Sequence, residues 1–144
     1  MILCDVTVLV YAFREDTPRH AAYRDWLEEQ LNADHAFGVS PLVLSGFLRV
    51  VTNRRAMKTP TPLETALRLC DQLTAAPQAV MVQPGQRHWG IFTRLCYETN
   101  ATANHVPDAY LAALAIEHGC EWMTADRGFA RYPGLRWRDP VAPG

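Results

Sequence analysis

The sequence contains no apolar run close to the ~20 residues that span a membrane. Its start also lacks the basic stretch followed by an apolar stretch that marks a secretory signal. We therefore expect a protein of the cytoplasm. Repeats, long linkers and low-complexity tracts are also absent, so the 144 residues are predicted to form a single domain over residues 1–144.

Other absences exclude particular kinds of binding site. The four cysteines form no C-x-x-C pair and share no ligand spacing with the histidines, so we expect buried thiols and no zinc site. No glycine-rich turn follows the first predicted strand, which argues against a dinucleotide-binding domain. Lys58 is the only lysine, which argues against a receiver-type phosphoacceptor domain.

Acidic residues are missing from the whole segment between His35 and Pro62, although the net charge of the chain is only −1. Basic side chains gather in this segment, at Arg49, Arg54, Arg55 and Lys58. Because an arginine fork can hold a phosphate with two hydrogen bonds, the segment is interpreted as a local phosphate-facing patch. A solvated helix end explains the same pattern equally well.

Short apolar segments alternate with amphipathic ones along the chain. Strands are predicted at residues 2–5, 36–39, 79–82 and 121–124, and helices at 7–13, 17–31, 42–51, 63–73, 87–97 and 109–117. Thr7, Thr17 and Ser40 are interpreted as helix caps. Strands separated by helices predict an α/β fold with a mostly parallel sheet covered on both faces.

Three aspartates stand at comparable junctions. Asp5 closes the first strand, Asp126 follows the fourth, and Asp108 opens a helix after a polar loop. Two carboxylates about 4 Å apart repel by roughly 4 kcal/mol at an effective dielectric of 20, so their convergence predicts a compensating cation. Oxygen ligands favour Mg2+ or Mn2+, ions that support phosphoryl and phosphodiester chemistry. The alternative is three unrelated caps or solvated strand ends.

Four segments together resemble the PIN-domain ribonucleases of the VapC toxin type, over nearly the full length of the chain. They are ILCD with Thr7 (residues 2–5 and 7), LSGFLRVVTN (44–53), VPDAYLAALA (106–115) and TADRGF (124–129). The last two are the most specific.

The resemblance implies a three-layer PIN-like fold with four or five strands. It implies Mg2+- or Mn2+-dependent cleavage of structured RNA, such as tRNA or rRNA, by a homodimer that a small VapB-type antitoxin neutralises. The catalytic and metal-binding residues would be Asp5, Asp108 and Asp126, with Thr7 and Thr124 supplying nearby hydroxyls. On this reading Arg49, Arg54 and Arg55 are candidate contacts to RNA.

The sequence departs from the family pattern at two places. The family usually carries a further acid on the helix that follows Ser40, where Pro41, Leu44 and Gly46 are the plausible positions here. Related sequences also often have an aspartate where Gly128 stands. We therefore expect a site with three carboxylates and weaker metal binding.

Two rival functions are considered. A phosphatase of the haloacid-dehalogenase type also places an aspartate after its first strand, but it needs a second acid where Thr7 stands and a downstream lysine. A catalytically weak or inactive PIN-like protein, which binds RNA or an antitoxin without cutting, is the second rival.

Overall fold

Five short strands form the centre of the protein in this computed structural model, which describes residues 1–142. They are β1 (Ile2–Cys4), β2 (Phe37–Val39), β3 (Ala79–Met81), β4 (Glu121–Met123) and β5 (Trp137–Arg138). The order in the sheet is β3-β2-β1-β4-β5, and every neighbouring pair is parallel. The predicted parallel sheet is confirmed, and β5 adds a strand to the four that were located from apolar segments.

Six helices connect the strands: α1 (Val6–Phe13), α2 (His20–Leu31), α3 (Pro41–Val51), α4 (Leu63–Ala75), α5 (His88–Thr99) and α6 (His105–Glu117). A 3-10 helix, η1 (Arg127–Arg131), follows β4. The chain steps from β1 through β2 to β3, then returns across the sheet to β4. Because parallel crossovers are right-handed, the first four helices and the last two cover opposite faces, which makes the expected three layers. No helix of residues 1–142 is long and apolar enough to span a membrane.

The sheet reverses its winding direction between β1 and β4. The connection after β1 leads towards β2, and the one after β4 leads towards β5 on the other side. Such a reversal opens a crevice beyond the carboxyl ends of the two strands, where open α/β folds bind their ligands. Cys4 pairs with Met123 in the register, so the residues that follow these two lie side by side at that crevice.

The helix that carries Asp108 packs closely on its neighbours, mainly α5 and also β4. Four alanines of α6, Ala109, Ala112, Ala113 and Ala115, are completely buried. Small side chains allow neighbouring backbones to approach closely, and they leave little space between them. The position of α6, and of Asp108 in its first turn, is thereby restrained.

Helical spacing predicts that Ala22, Trp26 and Leu27 share one face of α2 and that Leu67 and Cys70 face inward on α4. The prediction is partly wrong for both helices. On α2 the buried residues are Tyr23 and Leu27, whereas Ala22 is exposed. On α4, Cys70 faces inward as predicted but Leu67 is 41% exposed. Spacing alone does not decide which side of a helix the neighbouring elements cover.

Helix starts also differ in detail from the predicted caps. Ser40 accepts a hydrogen bond from the Val43 N–H at 3.3 Å and Pro41 is the first residue of α3, as predicted. The cap of α1 is Asp5 and not Thr7. Thr17 does not cap α2, because its hydroxyl donates to the Arg14 carbonyl at 2.6 Å while the helix begins at His20.

A buried arginine ties the end of α1 to the loop before α4. The Arg14 side chain is 9% exposed and forms a two-pronged pair with Asp16, at 2.9 and 2.5 Å. Its Nη1 donates to the Thr59 carbonyl at 2.6 Å and to the Thr61 hydroxyl at 3.0 Å. These bonds fix a connection that has no regular secondary structure.

We predict that Arg14→Ala lowers the free energy of unfolding by about 2–4 kcal/mol, because it leaves buried hydrogen-bond acceptors unsatisfied. Urea unfolding of parent and variant measures this loss. Arg24→Ala is the matched control: Arg24 pairs with Asp25 on the surface, with both side chains about half exposed or more, and should change stability by less than about 1 kcal/mol. Equal effects of the two variants would contradict the structural role given to Arg14.

Candidate active site

Asp5 lies directly beyond β1 and is nearly buried, at 7% exposure. Its Oδ1 accepts the Val6 N–H at 2.7 Å, and its Oδ2 accepts the Thr124 hydroxyl at 2.6 Å. The Thr7 hydroxyl is 3.5 Å from the same Oδ2, which is longer than an ordinary O–H···O bond. Of the two hydroxyls predicted near the site, Thr124 orients the carboxylate and Thr7 only approaches it.

The completely buried Thr124 also connects Asp5 to Asp126. Its hydroxyl oxygen accepts the Asp126 N–H at 3.0 Å while its hydrogen goes to Asp5. The Asp126 side chain is exposed, and its Oδ1 accepts the Gly128 N–H at 2.8 Å, which caps η1. Two of the predicted site residues are thus joined through one threonine.

Asp108 lies in the first turn of α6 and is half-buried. Burial raises its pKa, and the charge of Asp126 raises it further. Burial likewise raises the pKa of Asp5 to about 6, against the hydrogen bonds from Thr124 and Val6, while the charges of Asp108 and Asp126 add to the rise. The three carboxylates therefore repel one another, as expected for neighbours at one edge of the sheet.

The donor set fits a hydrated divalent ion better than a closed cage. Within residues 1–142, no arginine, lysine or histidine forms an ion pair with Asp5, Asp108 or Asp126. The same part of the chain contains no group of three His, Cys, Asp or Glu side chains arranged to hold an ion. Mg2+ usually keeps several waters and takes one or two carboxylates directly, so the uncompensated charge matches its requirements.

A cleft of about 920 Å3 opens beside two of the carboxylates. Asp5 and Asp108 contribute to its wall, and Ser45 and Arg49 from α3 also line it. Asp126 is not among the residues that line this cleft. Much of the remaining wall is apolar and comes from α6. The cleft therefore combines acidic groups with a basic one on a largely apolar surface.

The structure separates the three arginines that were predicted as one patch. Arg49 is exposed and lines the cleft with the carboxylates. Arg54 and Arg55 lie exposed in the turn after α3 and are not among the lining residues. Only Arg49 is brought to the site, and the other two match the solvated helix end.

Two of the three positions considered for a fourth acid have no space for it in the cleft. A Cβ added at Gly46 would lie 2.8 Å from Cγ2 of Val6. Val6 is β-branched and stiff in a helix, so it cannot easily move away. Leu44 is 9% exposed and does not line the cleft, whereas Pro41 is exposed and does.

Glu117 follows Asp108 by nine residues, a spacing that puts the two side chains on opposite faces of the helix and predicts that Glu117 lies outside the site. Its predicted partner, solvent or a neighbouring subunit, is wrong. Instead its two oxygens accept the N–H groups of Gly85 and Arg87 at 2.7 and 3.0 Å. Burial alone would raise the pKa of Glu117, and these two hydrogen bonds hold it below its usual range. This carboxylate anchors the segment before α5.

An arginine near Asp126 was not predicted from the sequence as a residue of the site. Arg131, the last residue of η1, donates from Nε to the Gly128 carbonyl at 2.9 Å and contacts Nε2 of His105 from Nη1 at 3.1 Å. A signal was available, because four arginines occupy residues 127–138, directly after the third aspartate. The patch around Arg49 has the same number of basic residues, four, within residues 49–58.

Comparison with known proteins agrees with this fold. The family model described as PIN domain matches residues 2–135. VapC ribonuclease Mb2897 of Mycobacterium bovis is 48% identical over 141 residues, which cover 98% of this chain and 96% of that protein. Ribonuclease VapC25 of Mycobacterium tuberculosis is 40% identical over 142 residues, covering 98% and 100%.

Among solved structures, VapBC2 from Rickettsia felis bound to a promoter DNA fragment superimposes with a TM-score of 0.71 at 19% identity, covering 96% of this chain and 98% of that one. The fold and the strand-end carboxylates define a PIN-domain protein. Within that family the chain belongs to the VapC ribonucleases. This assignment removes the haloacid-dehalogenase alternative.

We predict that metal-free protein becomes less stable as the pH rises through about 6. The folded state raises the pKa of Asp5 from 3.8 to about 6, so it binds this proton more tightly than the unfolded chain does. The resulting stabilisation is complete below pH 3.8 and is lost as the pH rises through about 6, a loss of about 3 kcal/mol. Urea unfolding in EDTA across this range measures it.

Asp5→Asn should remove this part of the pH dependence, because an amide does not titrate there. Asp25→Asn, which alters an exposed side chain away from the site, should keep it. An Asp5→Asn variant whose stability has the same pH dependence as that of the parent would contradict the raised pKa of the buried Asp5 carboxyl.

Proposed function

We propose that this VapC-type protein is an endoribonuclease toxin that hydrolyses phosphodiester bonds in structured RNA, either tRNA or rRNA, with Mg2+ or Mn2+. Its place of action would be the cytoplasm, where these RNAs are found. The observation that carries the proposal is the cluster of three unpaired carboxylates at the crevice between β1 and β4. The names of its relatives as ribonucleases support the substrate class.

Asp5 and Asp108 would hold the ion, with Asp126 acting from the rim. When bound, the ion would neutralise charge on a phosphate and lower the pKa of a water. The protein's own contribution is to fix the donors: the Thr124 hydroxyl orients Asp5, and the cap on Val6 restrains the same carboxylate. With its pKa raised to about 6, Asp5 is mostly ionised at neutral pH and ready to bind a cation.

Arg49 is an exposed arginine that lines the cleft together with Asp5 and Asp108. It would bind an RNA phosphate there and offset the repulsion between that phosphate and the two acids. The apolar walls from α6 would limit the access of bulk water to that phosphate, which strengthens electrostatic interactions there.

A PIN-like protein that binds without cutting remains the second candidate. The specific observation in its favour is the absence of an acid at Pro41, Leu44 and Gly46, the three positions considered for the fourth acid of the family, together with the close contact that a Cβ at Gly46 would make with Val6. Such a protein would bind RNA or antitoxin through the same cleft but would release no cleavage product with any divalent ion.

We predict that Asp5→Asn, Asp108→Asn and Asp126→Asn each reduce Mg2+-dependent RNA cleavage at least about a hundredfold, because each removes one preorganised negative charge from the site. Gel analysis of a panel of tRNA and rRNA fragments measures cleavage, and calorimetry measures Mn2+ affinity, which should also fall.

Asp25→Asn is the control for loss of an acid and should cut like the parent. Three site variants that all cut as well as the parent would remove the site assignment. A pure parent protein that cuts nothing in Mg2+ or Mn2+ would favour the non-cutting candidate.

We also propose that the protein forms a homodimer and binds a VapB-type antitoxin. The supporting observation is a set of exposed apolar side chains: Leu63 and Leu67 on α4, Val80 and Met81 on the edge strand β3, and Trp89 and Tyr97 on α5. The structural neighbour from Rickettsia felis is itself a VapBC assembly. An antitoxin arginine entering the cleft could pair with two carboxylate oxygens and compete with the cation.

We expect light scattering to give a dimer mass that persists on dilution to low micromolar concentration, and an antitoxin peptide ending in arginine to weaken Mn2+ binding. The same peptide with glutamine in place of that arginine is the control. A constant monomer mass would contradict the dimer, and equal Mn2+ affinity with and without the arginine peptide would contradict competition.

A further inference from the structure

Arg131 is a restrained cation between two segments that carry site acids. Its guanidinium contacts the Gly128 carbonyl in η1 and Nε2 of His105, the first residue of α6. Asp126 immediately precedes η1, and Asp108 follows His105 by three residues. A guanidinium can only donate, so the hydrogen bond at this contact runs from Arg131 to Nε2 of His105. The arginine is thus positioned by a backbone carbonyl and an imidazole, and not by a carboxylate.

Arg131 forms no ion pair among residues 1–142, although Asp126 is only five residues away in the sequence. Within that part of the chain, no carboxylate neutralises its positive charge. Its side chain is exposed to solvent. Arginine has five N–H donors, and the two contacts described use two of its three nitrogens. The remaining donors of Nη1 and Nη2 are available to an anion.

Gly128 provides the space that this arrangement needs. A Cβ at that position would lie 2.9 Å from Oδ1 of Asp126 and 3.3 Å from Nη2 of Arg131. A side chain there would press on the carboxylate and on the guanidinium at once. The glycine therefore allows the Asp126 carboxylate and the Arg131 guanidinium to lie near each other, so that the carboxylate can bind a cation and the guanidinium an anion.

The same local pattern occurs at the cleft. The segments GFLR (46–49) and GFAR (128–131) each begin with a glycine where an added Cβ would lie under 3.0 Å from a neighbouring side-chain atom. Each segment ends with an exposed arginine that forms no ion pair among residues 1–142. The phenylalanine that follows the glycine is buried in both segments, with Phe47 0% exposed and Phe129 2% exposed. These buried rings anchor the backbone from which Arg49 and Arg131 extend.

The two arginines belong to segments on either side of Asp5. Helix α3 follows β2, and η1 follows β4, which are the two strands that flank β1 in the sheet. An RNA strand that passes over Asp5 from one segment to the other would meet a basic group on each side of the acids. Two such contacts would offset the repulsion between the carboxylates and the phosphates.

We propose that Arg131 binds an RNA backbone phosphate on the opposite side of the carboxylates from Arg49, so that the two arginines hold the strand across the site. The proposal rests on the proposed function, since it assigns a second contact to the same RNA substrate, outside the cleft that Arg49 lines. His105 is the positioning residue that orients the Arg131 guanidinium.

The test measures RNA binding without cleavage. In an Asp108→Asn background, fluorescence anisotropy with a labelled single-stranded RNA is recorded between 50 and about 300 mM salt. Arg131→Gln should weaken binding several-fold and lower the slope of log K against log salt by about 0.7, the value for one phosphate contact on a single strand. Arg131→Lys should keep the slope, because it keeps the charge.

Arg136→Gln is the matched control. Arg136 is also exposed, and it donates to the Gly119 carbonyl near the opposite end of β4, so its change should leave the slope unaltered. In the cleaving protein, Arg131→Gln should raise KM with little change in kcat, which a loss of metal or of folding would not do. The Mn2+ affinity of the variant should equal that of the parent.

The outcomes separate this inference from the proposed function. A parent that cuts RNA, together with an Arg131→Gln variant that has the parent slope and the parent KM, overturns the inference alone. A Lys variant with the lowered slope of the Gln variant also overturns it, since charge would not be the cause. A parent that neither binds nor cuts RNA overturns both.

Discussion

The hydrogen bonds of the Thr124 hydroxyl hold the site together. This one oxygen donates to Asp5 at 2.6 Å and accepts the backbone N–H of Asp126 at 3.0 Å, while it is completely buried. The contact with Asp5 requires β1 and β4 to be paired in their observed parallel register, whereas the contact with Asp126 is local to the segment after β4. A buried carboxylate with a raised pKa is costly, and the threonine compensates part of that cost with a short hydrogen bond. The pairing of β1 with β4 thus places the Thr124 hydroxyl where it can stabilise the negative charge of the buried Asp5.

Around that threonine the protein combines charges of opposite sign without letting them pair. The three acids have no basic partner among residues 1–142, and neither Arg49 nor Arg131 has an acidic one. Ion pairs within the site would occupy the groups that a cation and a phosphate need. Gly46 is one of the three positions considered for the fourth acid, and Gly128 is the position where related sequences often have an aspartate. A Cβ at Gly46 would lie 2.8 Å from Cγ2 of Val6, and a Cβ at Gly128 would lie 2.9 Å from Oδ1 of Asp126.

Local patterns made much of this arrangement predictable. Apolar runs ended by Asp5 and Asp126 located strand ends, and the order of strands and helices fixed a parallel sheet, so these aspartates could be expected at one edge. Tertiary contacts could not be read in the same way. The isolation of Arg54 and Arg55 from Arg49 depends on how the turn after α3 leaves the helix. The partners of Glu117 lie about 30 residues away in sequence, and no periodicity of α6 contains them.

The alanine surface of α6 has a consequence for how this site can vary. A methyl group has no rotamers, so an interface of buried alanines cannot absorb a larger side chain by rearranging it. Added bulk at Ala109 or Ala112 must instead displace α6 relative to the elements packed against it, and Asp108 moves with the helix. The distance of Asp108 from the other two aspartates is therefore set by how closely the backbone of α6 approaches its neighbours. Substitutions at these alanines are restricted by side-chain volume, although none of the alanines takes part in the chemistry of the site.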